Sequence, residues 1–228
     1  MFTYLLLDLG TLLFPFLLSF ENKVNFYSKW KFALPAILIT AIYFLVWDYF
    51  FTSHGIWSFN SAYVIKVYIG GLPLEELLFF ICIPYACLFI YAVLKDYVLR
   101  GIQVKHFNYF IVPLIVFLFI AGIAFWSQTY TSVTCISTAL LLSFLAFFRK
   151  VGYLPFFFSM YLIHLLPFVI INGILTALPV VSYNNLYNSG IRLGTIPVED
   201  LVYSMLMLLM NVAIYEALYY KSKRKVVA

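Results

Sequence analysis

The sequence predicts an all-α integral membrane protein whose seven transmembrane helices form two parallel three-helix repeats joined by a connector helix. Three observations carry that expectation. Of the 228 residues, 65% are hydrophobic and only 10% charged, and the mean hydropathy of +1.01 lies far outside the range of soluble globular chains. Seven windows approach the ~20 apolar residues needed to cross a bilayer core. The chain also aligns with itself at a spacing of 124 residues without a gap, setting Thr52 on Thr176, Ser58 on Ser182, Asn60 on Asn184, Tyr63 on Tyr187, Gly70 on Gly194, Leu77 on Leu201 and Tyr91 on Tyr215.

In chain order the windows run at about 2–20, 32–51, 73–94, 108–126, 131–148, 153–176 and 197–219. Their continuity favours helices over barrel strands, which would alternate over roughly ten residues. The first is expected to be a span rather than a signal peptide, because no basic residue precedes its apolar stretch and Asp8 lies within it. Loops at 21–31, 95–105 and 149–150, with the tail from 221, hold 12 of the 14 Lys and Arg, leaving Lys66 and Arg192 for the opposite loops. Such asymmetry places the N-terminus outside and the C-terminus in the cytoplasm, with a bacterial cytoplasmic membrane as the expected location. The net charge of +5 is then topogenic, and nucleic acid is not an expected partner. Cys82, Cys87 and Cys135 lack zinc-ligand spacing and read as small core residues, so no metal is expected.

Spans one to three (1–97) correspond to spans five to seven (128–228), with the fourth (98–127) as connector. Three spans plus a connector restore the chain direction, so the copies are parallel about an axis along the membrane normal. Each copy carries a segment between its second and third helices, 52–72 and 177–196, rich in aromatic and amide side chains. These suit an ordered cover folded over a cavity mouth, with Trp57, Asn60, Tyr183 and Asn184 as candidates for binding or supporting a substrate.

The chemistry-bearing motifs are Pro73-Leu74-Glu75-Glu76 and Pro197-Val198-Glu199-Asp200, which the duplication brings to one side of the membrane at similar depth. Proline suits the first helical turn, so each motif marks a helix start with two carboxyls just inside. A helix N-terminus favours a charged carboxylate, whereas desolvation and a neighbouring like charge favour a protonated one able to act as an acid. One isolated motif would read as an interfacial helix cap; its repetition favours function. Asp48 and Asn172 stand at matching positions, and Asp48 reads equally as a site residue or an interfacial one beside Trp47. Asp8 reads either as a hydrogen-bonding group within the bundle or as a near-surface residue. Arg192 faces Tyr68 in the alignment and reads either as a partner of Glu199 or Asp200 or as a loop cation near headgroups. His164, alone in the sixth span, reads as a buried hydrogen-bonding group. With no nucleotide or dinucleotide motif, any chemistry rests on side chains and no cofactor is expected.

The stretch 72–80, with Asn172-Gly173-Ile174-Leu175-Thr176 and 190–200, resembles the two halves of the heterodimer-type lycopene cyclases, here fused as in the cyclase domain of fungal bifunctional enzymes. The resemblance spans nearly the whole chain. It implies cofactor-independent cyclisation of the ψ-ends of lycopene to β-ionone rings, giving γ-carotene and then β-carotene, with Glu75, Glu76, Glu199 and Asp200 as the catalytic residues. Lycopene and related carotenoids are the implied substrates, membrane lipid the surroundings, and other carotenoid enzymes the implied protein partners. Among these carboxyls, Glu75 or Glu199 is expected to protonate the terminal double bond. Two alternatives stand beside it: a transporter with the 3+1+3 plan of SWEET-type carriers, and a non-catalytic subunit of a carotenoid-synthesis complex.

Overall fold

The computed structural model describes residues 2–99 and 107–227; the 100–106 part of the basic loop and the basic side chains of the tail beyond 222 lie outside the described residues. All seven expected spans are helices: α1 (Thr3–Leu18), α2 (Trp30–Ser53), α3 (Leu74–Val93), α4 (Asn108–Ala124), α5 (Thr129–Ser143), α6 (Leu154–Ala177) and α7 (Val198–Val227). A 3-10 turn, Phe26–Lys29, leads into α2, and π-helical turns extend α3 over Leu94–Val98 and α5 over Phe144–Phe148. Counted with these turns, five helices among the described residues are long and apolar enough to cross a membrane; α1 and α4 are shorter apolar helices. Leu6, Leu13 and Phe14 on α1 and Phe117, Ile120 and Ile123 on α4 are nonetheless well exposed, an apolar surface suited to lipid rather than water.

The bundle is built around α3 and α7, which pack on each other. Helix α1 packs on α3 as α5 packs on α7, while α2 lies against both α3 and α7, and α6 likewise contacts both. The fourth helix packs on α5, where Gly122 permits a close approach: a Cβ there would meet Ile136 Cγ1 at 2.6 Å.

The covers hold short strands that hydropathy did not reveal, since two or three residues carry no readable period. Strand β1 (Trp57–Phe59) pairs antiparallel with β4 (Val181–Tyr183), and Ser58 sits opposite Ser182, the residue 124 positions later. Two tight hairpins follow, β2 (Tyr68–Ile69) with β3 (Leu72–Pro73) and β5 (Arg192–Leu193) with β6 (Ile196–Pro197). Gly70 and Gly194 take positive φ of 60° and 63° in their turns, where a side chain would strain the backbone. Pro73 therefore ends a strand and caps α3 in extended conformation, one position ahead of the expected first turn, and α7 likewise begins at Val198, just after Pro197.

Recurrent hydrogen bonds tie the covers to each other and to the helices. Asn60 N donates to Val180 O and Asn184 N to Ile56 O, both at 2.9 Å; Leu74 N donates to Val67 O at 2.8 Å and Val198 N to Ile191 O at 3.1 Å. Each bond has its counterpart 124 residues away.

Candidate functional site

Adjacent residues of a helix point about 100° apart, so the two acids of a motif face different surroundings. Glu75 and Glu199 turn toward the covers. Glu75 Oε1 accepts the amide of Ile65 at 2.7 Å, and Glu199 Oε1 accepts that of Ser189 at 2.7 Å together with the Thr131 hydroxyl at 2.6 Å. Both carboxyls are buried, and neither lines the cavity that Glu76 and Asp200 share. The first acid of each motif holds its own loop in place through Oε1, while its buried Oε2 has no partner.

Glu76 and Asp200 turn inward. Tyr4 donates to Glu76 Oε2 at 2.5 Å and Tyr130 to Asp200 Oδ1 at 2.6 Å. Asp200 Oδ2 accepts two further bonds, from Asn172 Nδ2 and the Tyr183 hydroxyl, each at 2.8 Å. Glu76 lies within electrostatic reach of Asp48, Asp8 and Asp200. Burial, and then the nearby Asp200 carboxyl, hold the Tyr183 phenol well above the ordinary tyrosine range, so it remains a neutral donor.

Both inward carboxyls line one cavity of about 110 Å³. Its upper wall is aromatic, with Trp57, Phe59, Phe79, Tyr130, Tyr183 and Tyr203 around the acids; Trp57 meets Tyr130 edge-on at 5.2 Å, and Tyr130 stacks on Tyr183 at 6.1 Å. Farther along, the lining becomes aliphatic and includes Ile83, Ala86 and Ile90. Such a lining sets π faces beside two carboxyls, surroundings that can stabilise a cation and exchange a proton.

The other candidates divide. Trp57, Tyr183 and Asn172 line the cavity. Asp48 is buried beside it and fixes Trp57, whose Nε1 donates to Asp48 Oδ1. Asp8 is fully buried rather than near the surface, and its Oδ2 has no partner. Asn60 and Asn184 do not reach the cavity: each carboxamide oxygen is taken by its own turn, accepting the amides of Ala62 at 3.0 Å and Leu186 at 3.1 Å. Arg192 pairs with neither acid; it donates to Asn185 Oδ1 at 2.5 Å and lies over the Tyr183 ring at 5.6 Å. His164 is buried with Nδ1 3.3 Å from Cys87 Sγ, and both line the cavity.

Sequence reasoning missed Tyr4, Tyr130 and Tyr203. The first two are visible in retrospect as Thr3-Tyr4 and Thr129-Tyr130, which stand 126 rather than 124 residues apart and so escape a gapless alignment. Among the described residues, no three or more His, Cys, Asp or Glu side chains are grouped to hold a metal ion.

Comparison with known proteins adds an independent finding. The sequence model of a family described as lycopene cyclase matches residues 1–94 and 127–218, leaving out α4. No curated protein and no solved structure matches the chain.

Proposed function

Because the chain belongs to the lycopene cyclase family, we propose that it closes the ψ-ends of lycopene into β-ionone rings at one acid–base site shared by its two halves. One observation carries this reading: Glu76 of α3 and Asp200 of α7 line the same aromatic-walled cavity. In this mechanism the Glu76 carboxyl, which accepts a single hydrogen bond and keeps room for its own proton, protonates the terminal double bond. The resulting tertiary cation is held by the faces of the surrounding rings. The neighbouring double bond attacks it, closing the ring and moving the charge onto a ring carbon. Asp200, whose three donors suit a carboxylate, removes a ring proton and restores the double bond. One proton enters and one leaves, so the product is an isomer and no redox partner is required. Which ring proton leaves sets the ring type, and the β outcome follows the family resemblance.

We also read 1–97 and 128–228 as parallel repeats about 98–127, with the N-terminus outside and the C-terminus in the cytoplasm. The bonds that recur at a spacing of 124 and the Ser58–Ser182 pairing support the duplication, and the distribution of Lys and Arg supports the orientation. Expression of the chain in lycopene-accumulating cells tests the activity. Cyclic carotenoids are expected in the pigment extract; unchanged lycopene despite verified membrane insertion would sink the reading.

A further inference from the structure

A second cavity, of about 1330 Å³, lies on the opposite flank of the bundle against α2, α5 and α7. Four of its wall residues have counterparts in the wall of the first. Tyr43, Met210 and Ile214 of the second stand 124 residues from Pro167, Ala86 and Ile90 of the first, and Ser137 stands 126 residues after Thr11, the offset that relates Tyr130 to Tyr4. At these positions the first groove meets α3 where the second meets α7, and the second runs on to Arg149, Lys150 and Lys221. Only the first reaches Glu76 and Asp200; neither lines the second.

Aromatic packing accounts for the difference. Phe44 and Trp47 of α2 close on Tyr203 with ring centroids 5.1 Å and 5.7 Å away, and Trp57 joins them at 6.0 Å. Their counterparts 124 residues later, Phe168, Ile171 and Val181, line the open cavity, where Trp57 and Tyr203 also stand, and two of the three are much smaller. One flank is plugged where the other is hollow.

We propose that the site has a single lateral doorway from the bilayer, between α1 and α6 beside Thr11 and Ile90. This rests on the cyclase and repeat readings above. Thr11 lies seven residues below Tyr4 and Ile90 fourteen below Glu76, about 10 and 21 Å along their helices at 1.5 Å per residue. That depth falls within the ~30 Å hydrocarbon core, where an apolar polyene dissolves.

The test compares Thr11→Phe with Ser137→Phe in the purified full chain reconstituted in lipid, reading the initial rate of ring formation and the quenching of tryptophan fluorescence by added lycopene. Thr11→Phe is expected to slow both turnover and binding about tenfold or more, while Ser137→Phe stays within about twofold of wild type. Equal losses in both, or wild-type behaviour in Thr11→Phe, would overturn the doorway. Ile90→Phe against Ile214→Phe repeats the comparison from α3 and α7, and decides the matter if the melting temperature shows that Thr11→Phe has misfolded. Should wild type bind lycopene without forming rings, the cyclase reading fails while the quenching comparison still judges the doorway.

Discussion

Two neighbouring acids in each motif do different work because one helical step turns the side chain away from its predecessor. Glu75 holds the Ile65 amide, and a glutamine carbonyl can do the same; Glu75→Gln is therefore expected to keep ring formation within about tenfold of wild type. Initial rates in lycopene-loaded membranes check this. Tyr183→Phe removes one of three donors to Asp200 and is expected to slow the reaction about tenfold, the equivalent of the ~1.4 kcal/mol carried by one hydrogen bond to a charged group. Since burial raises the Tyr183 phenol, its proton is fully in place below the ordinary tyrosine value and would be lost only above it. The ratio of wild-type to variant rate should thus be the same at about pH 6 and about pH 9. A ratio that collapses toward the higher pH would mean that Tyr183 ionises.

At the scale of elements, the hairpins and one half-buried ion pair fix how the helices meet. Gly194 at φ 63° has open space around a Cβ but the wrong backbone for one, so Gly194→Ala is expected to cost about 1–2 kcal/mol through strain alone. Thermal unfolding in detergent measures it. At the other end of the bundle Lys95 pairs with Glu216, which also accepts the Tyr91 hydroxyl at 2.6 Å and joins α7 to the end of α3. Lys95→Met leaves that buried carboxyl without its cation and is expected to cost about 3 kcal/mol, read in the same unfolding experiment. Helix number and order were legible because a bilayer span requires a long apolar run, which hydropathy detects directly. The strands were not: β1 and β4 gain their register only by meeting each other, 124 residues apart in sequence, and a three-residue segment has no pattern of its own.

For the whole molecule, the duplication marked the four motif acids and their common side, yet direction within each pair depends on helix phase against loops that only the folded chain supplies. That is why Glu76 and Asp200, rather than Glu75 and Glu199, face the cavity, and why Asn60 and Asn184 remain within their turns. A single site also predicts a monocyclic carotenoid that rises before the bicyclic product in a reaction time course. The most direct test of the central claim, one acid–base site built from both halves, is ring formation by Glu76→Gln and Asp200→Asn, assayed separately in lycopene-loaded membranes with insertion verified. The account expects each substitution alone to lower cyclisation of both ends by about a hundredfold or more; half the wild-type activity surviving in each variant would instead mean two independent sites and would contradict it.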